Sequence, residues 1–311
     1  MSMIKYTLKV KKNNVESEFD FIVSKLGESQ SIDDSLTVLV REQLGNDRNL
    51  EWIKTRTNSY VKDTIFCALV SFDEVVCVNF FTPFMFFSNS AEILGHQSGF
   101  SATRNNWKGM GLWPTLMKEA ELFLIQLNSK FIFGFPNSVS FPVFTRKLNY
   151  ISELFKIEIF SRLFLRAKTF TKRGRFLNEE YGEIFSNDYD DLLNWHCGQD
   201  ESQIVYEIDS IGGTKIWGKK RILKFGLITI NYLEIGGVKF DNYENMSHAL
   251  YKILKRNGLF FAVQLKSRNS QLSHLSLFEY NYKNPFVYRI IDSNWKSINE
   301  VFFNGANRDA F

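Results

Sequence analysis

Asn106-Trp107-Lys108-Gly109-Met110-Gly111 is the stretch whose residue types and spacing could do chemistry. It stands directly before a run of helical periodicity from Leu112 to about Leu127. The unpaired amides of a helix N-terminus and the positive end of its dipole would therefore converge on one small volume. Such a volume wants an anion, most naturally a phosphate. Lys108 would add a cation; an isolated turn lysine carries no meaning, but one flanked by Gly109 and Gly111 at a helix start points to phosphate contact.

The six residues resemble the phosphate-binding motif of the GNAT superfamily of acyl-CoA transferases, Arg/Gln-x-x-Gly-x-Gly/Ala. Asn106 opens the pattern, Gly109 and Gly111 close it, and Lys108 sits where many relatives have Arg. Downstream, Asn137, Ser140 and Phe144 follow the family's Asn-x-x-Ala/Ser-x-x-x-Tyr spacing. Gly134-Phe135-Pro136-Asn137 is similar to a stretch of the two-domain GNAT-like proteins of cell-surface polysaccharide clusters, as is Glu51-Trp52 with Asn58 ahead of an apolar strand at Thr64–Val70. The resemblance covers about the N-terminal half of the chain and the C-terminal half only faintly.

That resemblance implies a co-substrate, acetyl-CoA or another acyl-CoA. Its arm would lie like an added strand in a splayed gap between the fourth and fifth strands of the sheet. The implied CoA-binding residues are the backbone of Ser101, Ala102 and Thr103, the turn of Trp107, Lys108, Gly109, Met110, Gly111 and Leu112, and Asn137. Amine acylation also needs a base and a stabilised oxyanion. Glu92, His96 and Ser98 lie near the implied gap; His96 and Glu92 are the candidate catalytic residues. A histidine suits proton acceptance at cellular pH, although one in an apolar strand also serves as a structural hydrogen-bonding group. Phe144 takes the place of a family tyrosine that reprotonates the CoA thiolate; phenylalanine cannot donate a proton, so that role falls elsewhere.

The elements around these residues read in order. Ile4–Val10 alternates as a strand, and Lys11–Ser17 reads as a polar turn. Asp33 or Asp34 would cap a helix from Ser35 to Leu44. Thr64–Phe72 and Val75–Phe81 read as a hairpin turning at Asp73-Glu74; Pro83 restricts the next segment, and Ser88-Asn89-Ser90 leads into Ala91–Thr103. Leu148-Asn149-Tyr150 arrives one residue late against the family's Leu-Gly-Phe, which implies an insertion or bulge in the preceding helix. Beyond a basic connector at Lys168–Arg175, strand patterns fall at Ile204–Asp209, Lys215–Lys220 and Phe225–Glu234, with Gly212-Gly213 and Gly236-Gly237 read as hairpin turns. A helix over Asn242–Arg256 then leads through Asn257-Gly258 into a strand at Leu259–Leu265. This repeats the earlier order of helix, Asn128-Ser129-Lys130 and strand Phe131–Phe135, at a separation of 257 − 128 = 129 residues. Only the first copy carries a Gly-x-Gly turn, so only it should hold CoA phosphates; the second would shape the acceptor side.

The totals are those of a globular chain of two ordinary domains: 311 residues, 44% hydrophobic and 23% charged. Lys plus Arg less Asp plus Glu is 38 − 34 = +4, mild enough for an anionic ligand and far from a nucleic-acid binder. Cys67 and Cys77 sit in apolar runs and Cys197 beside His196; these and the scattered His248 and His274 support no metal site. Met1–Asn14 lacks the apolar stretch of a signal peptide, and Val75–Phe87 is too short to span a bilayer, so a cytoplasmic protein without stable membrane insertion is expected.

The expectation is an α/β (α+β) protein of tandem GNAT-like domains, 1–165 and 166–311, each a mixed, mostly antiparallel sheet flanked by helices. The expected activity is N-acyl transfer, most simply acetyl transfer, from CoA to an amino sugar, nucleotide-linked and destined for a surface polysaccharide. The partners would be the CoA thioester and the amino sugar, with no metal and no nucleic acid. A Fem-type aminoacyl transferase and a non-catalytic binding protein of the same fold remain as alternatives.

Overall fold

A computed structural model of the chain describes residues 4–12, 15–57, 63–88, 91–165, 204–208, 215–226, 228–239, 243–266 and 277–295. The connector at Lys168–Arg175, Gly212-Gly213, Cys197, His196 and His274 lie outside the described residues. Two compact units emerge. One is drawn from Met1–Met85, Glu92–Glu153 and Phe286–Ser297, the other from Phe86–Ala91, Leu154–Pro285 and Ile298–Phe311. A single cut after residue 165 does not produce this division, because the chain returns to the first unit near its end.

In the first unit β1 (Ile4–Lys12) and β2 (Val15–Lys25) form an antiparallel hairpin. The polar segment expected as a turn at Lys11–Ser17 is thus strand at both ends. Its charges lie on a solvent face and pair across the ladder, as Lys9 does with Glu16 and Glu18. Helices α1 (Gln30–Leu44) and α2 (Leu50–Thr57) come next. α1 starts five residues ahead of the expected Ser35, at N-cap Ser29; Ile32 extends the buried stripe of Leu36, Leu39 and Val40 by a turn, and Asp33 instead accepts the Gly27 amide. Strands β3 (Ile65–Ser71) and β4 (Glu74–Ser88) turn through Phe72-Asp73, both at positive φ, one residue earlier than expected. β4 continues through Pro83.

β5 (Ala91–Thr103) leads by a 3-10 turn at Asn105–Trp107 to α3 (Leu112–Gln126), then to β6 (Phe131–Gly134) and α4 (Phe141–Lys147). The sheet runs β1-β2-β3-β4-β5-β6. Beyond β6 it is completed by Val287–Ile290 of the chain's last strand, Phe278–Ile290 (β12), antiparallel to β6. Both faces are covered. Phe66, Ala68 and Val70 pack on α1 and α2, whereas Ile65, Cys67 and Leu69 pack with Leu112, Leu116, Ala120 and Leu124 of α3. The last turn of α4 is wide: the Leu148 amide donates to Val143, five residues back, and Asn149 takes φ 56°. The one-residue excess expected before Tyr150 is accommodated there.

The second unit begins with β7 (Ile151–Ser161) from Leu154 onward and adds β8 (Ile204–Ile208), β9 (Lys215–Phe225), β10 (Ile228–Lys239), α5 (Tyr243–Arg256) and β11 (Phe261–Lys266), in sheet order β7-β11-β10-β9-β8. Gly236-Gly237 is not the expected hairpin turn. It lies inside β10 at a bulge, where the ladder to β9 shifts register between Ile235 and Gly237.

The internal repeat takes a definite form. β5 and β6 are parallel across α3, and β10 and β11 are parallel across α5. Both helices end alike: Asn128 at φ 62° and Gly258 at φ 67° are followed by amides, Ser129 and Leu259, that donate five residues back to Leu124 and Leu254. The equivalent residues are therefore 258 − 128 = 130 apart, one more than the alignment of the two asparagines suggests.

Candidate functional site

β5 stops pairing with β6 halfway along. Their parallel register runs Gly95↔Phe131, His96↔Ile132 and Gln97↔Phe133, and ends there, although β5 continues to Thr103. A Cβ on Gly134 would come within 3.2 Å of the Ser98 carbonyl oxygen, so this crossing point tolerates little more than glycine. Past it, Ser98–Thr103 of β5 run on beyond their last ladder pair with β6. An unpaired strand edge takes an extended, amide-bearing chain by backbone hydrogen bonds.

A bulge sets what the edge displays. Phe100 stands at φ 48°, and Ser98 and Ser101, three apart and so destined for opposite faces of a regular strand, both turn to the α3 side. Their hydroxyls meet the side-chain oxygen of Asn79 on β4, Ser98 Oγ at 3.2 Å and Ser101 Oγ at 2.6 Å. The same oxygen accepts the Trp113 indole N–H at 3.3 Å, and Asn79 Nδ2 donates to the Phe80 carbonyl at 3.0 Å. A fully buried carboxamide thus fastens β4, the unpaired part of β5 and the first turn of α3 to one another. Trp113 in turn packs edge-on against Phe144, centroids 4.9 Å apart. Ala102 is buried on the other face, and Thr103 Oγ1 lies 3.3 Å from Cys77 Sγ.

The glycine turn before α3 is built from the end of β5. Arg104 anchors it, its amide donating to Val76 and its Nε to Val75, while a guanidinium nitrogen pairs with Glu42 of α1 at 3.2 Å. The 3-10 turn is closed by Trp107 N to Arg104 O and Lys108 N to Asn105 O. Trp107 and Met110 pack inward on the core, Trp107 edge-on to Phe19, whereas Lys108 and Gly109 are exposed. Gly111 caps α3 in the left-handed region, φ 78°, and brings no side-chain oxygen to the helix amides. Pro114 has no amide and the Thr115 amide donates to Gly111, so the N–H groups of Gly111, Leu112 and Trp113 are those ahead of the first intrahelical bond. A Cβ on Gly111 would meet nothing within 4 Å: the space before the helix is open.

His96 and Glu92 share β5 but not an environment. Glu92 is exposed; His96 is 4% exposed, with Nδ1 2.9 Å from Ser129 Oγ. The Ser129 hydroxyl in turn donates to the Phe131 carbonyl at 3.2 Å, which ties the imidazole to the start of β6. Asn137 is exposed and its side-chain oxygen accepts the amides of Val139 and Ser140, shaping the turn into α4. Ser101, Ala102 and Thr103 run directly into the Trp107–Leu112 turn, and Trp113 is tied to Ser101 through Asn79. Asn79 and Trp113 were not singled out from sequence; the one legible signal was an amide alone in the apolar run Val75–Phe81, a buried polar group that must find partners.

A second polar group lies farther along α3. Glu121 is 7% exposed and its Oε2 stands 3.4 Å from Arg289 Nε of β12; another Arg289 nitrogen donates to the Leu148 carbonyl. Glu121 Oε1 and the Tyr150 hydroxyl have no hydrogen-bond partner among the described residues. Burial pushes the Glu121 carboxyl up from its ordinary value, against the pull of Arg289, and pushes the Tyr150 phenol well up. Among the described residues no group of His, Cys, Asp and Glu is placed to hold a metal ion, and no helix is long and apolar enough to cross a membrane.

No protein-family model and no curated protein matches the sequence. Solved structures match the fold. A GCN5-related N-acetyltransferase from Kribbella flavida superposes over 88% of this chain and 71% of its own, at 12% identity and a TM-score of 0.59. One from Anabaena variabilis ATCC 29413 does so over 88% and 73%, at 10% identity and 0.58. A conserved protein of unknown function from Enterococcus faecalis V583, described as a probable N-acyltransferase, covers 87% and 73% at 13% identity and 0.58. At such identities the likeness establishes the fold: a mixed α/β fold shared with these proteins over most of the chain.

Proposed function

We propose, from a fold shared with GCN5-related N-acetyltransferases, that the chain is an acyl-CoA-dependent N-acyltransferase. The observation that carries the reading is the β5–β6 register ending at Gln97↔Phe133, with open space at Gly111 at the start of the helix that follows β5. The CoA diphosphate sits on the amides of Gly111, Leu112 and Trp113 with Lys108 alongside. The pantetheine arm runs along Ser101, Ala102 and Thr103 towards Ser98, and Asn137 lends its remaining amide donors.

In the reaction the acceptor amine attacks the thioester carbonyl carbon. A base removes the amine proton, and the carbon–sulfur bond breaks to release the thiolate. His96 is our first candidate for the base, directly or through water, as a buried imidazole on β5, the strand that carries the freed edge. Glu92, exposed on the same strand, is the second. The acceptor we propose is an amino sugar, nucleotide-linked and feeding a surface polysaccharide; its support is the likeness of Gly134–Asn137 and Glu51–Asn58 to two-domain proteins of such clusters. We place the protein in the cytoplasm.

The test is CoA-induced thermal stabilisation of the whole chain, compared with Gly111→Ala and Gly111→Glu. Ala costs about 1–2 kcal/mol of backbone strain but leaves the cradle, so stabilisation by CoA persists. Glu places a carboxylate where the diphosphate belongs and abolishes it; stabilisation retained in Gly111→Glu overturns the site. Thiol release from acetyl-CoA over a panel of amino sugars then tests the chemistry, with His96→Gln lowering turnover while CoA still binds. Aminoacyl-tRNA as the accepted donor would assign the Fem-type alternative, and CoA binding without thiol release the non-catalytic one.

A further inference from the structure

We propose that the tip of the β9–β10 hairpin docks the protein on an anionic lipid surface. The hairpin outruns its neighbours. β8 pairs with β9 only over Lys215–Lys219 and β11 with β10 only over Tyr232–Ile235, yet β9 and β10 stay paired out to Phe225↔Ile228. Among the described residues, the stretch from Ile222↔Asn231 outward to Phe225↔Ile228, closed by Gly226 at φ 56°, therefore has no strand paired to it on either flank.

What this tip displays is aliphatic. Ile222 is 64% exposed, Leu223 43% and Ile228 63%. Consecutive strand residues face opposite ways, so Ile222 lies on one face and Leu223 on the other, where Ile228, opposite Phe225, joins it. A protein partner covers one face of a ribbon; a surrounding apolar medium suits both. The charge above the tip is of one sign. Lys219, Lys220, Arg221 and Lys224 stand on this half of the hairpin against the single acid Glu234, which is already held by Arg221 at 2.7 Å. Exposed Lys220 and Lys224 share the Ile222 face. Aliphatics at the end of a projection, with Lys220 and Lys224 two residues to either side of Ile222, match an acyl boundary under a layer of negative headgroups, where each basic residue strengthens binding about fivefold.

The probe is co-sedimentation of the full chain with vesicles of phosphatidylcholine alone or mixed with phosphatidylglycerol. Two variants are compared with wild type: Ile222→Ser/Leu223→Ser/Ile228→Ser, and Lys220→Glu/Lys224→Glu. The expected result is binding to the anionic vesicles only, reversed by added salt and weakened at least tenfold in each variant, with unchanged circular dichroism. No CoA enters the assay, so its outcome is independent of the acyltransferase reading. Equal binding to both vesicle types, variants that bind as wild type, or no binding at all overturns the proposal. In the last case the lysines guard exposed strand edges against pairing. Self-association by ultracentrifugation that the triple serine variant dissolves, without vesicle binding, assigns the tip to contact between copies and also overturns it.

Discussion

Ser101 Oγ lies 2.6 Å from Asn79 Oδ1, and through this contact a strand that has lost its partner on one side remains fixed on the other. Replacing Asn79 with Leu leaves the hydroxyls of Ser98 and Ser101 and the Trp113 indole without their acceptor in a buried site. Unsatisfied buried donors cost about 1–3 kcal/mol each, partly relieved by rotation, so the variant should lose about 3 kcal/mol by urea denaturation. CoA affinity should fall as well, because the edge and the helix start lose their common anchor. A variant as stable as wild type that binds CoA equally would show that the carboxamide fastens nothing.

Gly95 and Phe131 are matched in the same way. A Cβ on Gly95 would stand 2.5 Å from the Phe131 ring. Gly95→Ala should therefore destabilise by about 1–3 kcal/mol through overpacking. Phe131→Leu vacates the space and costs stability on its own, but the double variant should be more stable than the sum predicts by about 1 kcal/mol or more. Additive losses in a double-mutant cycle would place the strain elsewhere.

The Glu121–Arg289 pair predicts a pH dependence. Burial raises the folded-state carboxyl above its ordinary value of 4.5, so the folded protein holds this proton more tightly than the unfolded chain does. Its effect is least costly below about 4.5 and erodes stability as pH rises from there through the raised value. Arg289→Met removes the compensating cation and should be more destabilising at pH 7 than at pH 5. The loss at pH 7 should be about 2 kcal/mol, less than for a fully buried pair because the Arg289 side chain is 35% exposed. Adding Glu121→Leu should recover most of it. Denaturation midpoints at the two pH values decide; an equal loss at both would remove Glu121 from the account.

Cys67 and Cys77 are buried, and burial pushes both thiols up, Cys77 to about 12 despite its contact with Thr103. In a Cys197→Ser background the native protein should show almost no reaction with a thiol reagent at pH 8, and two equivalents after unfolding. Rapid labelling of the native protein would contradict the packing of β3 and β4.

The helix α3 and its glycine turn were legible because helical periodicity and glycine spacing are local properties, and they coincide there. The hairpin of β1 and β2 was half legible: Lys and Glu at alternate positions look like a turn until cross-strand pairing puts them on one solvent face. Gly236-Gly237 misled for a related reason, since glycine marks a bulge as readily as a turn and only the partner strand distinguishes them. Asn79 left a trace in the sequence, an amide among Val and Phe, but its three donors come from residues 19 to 34 positions away. The partnership of β6 with Val287–Ile290 left none, because pairing over so long a separation has no local signature.

That late partnership has a consequence for biogenesis. The first unit cannot finish its sheet until Val287–Ile290 have been synthesised, so during translation the edge of β6 waits, unsealed, for more than 150 residues. At about 5–20 residues per second this leaves an aggregation-prone ribbon exposed for roughly ten seconds or more. Premature termination anywhere between Leu154 and Pro285 would then disable the first unit as well, although every residue of the turn before α3 had already been made.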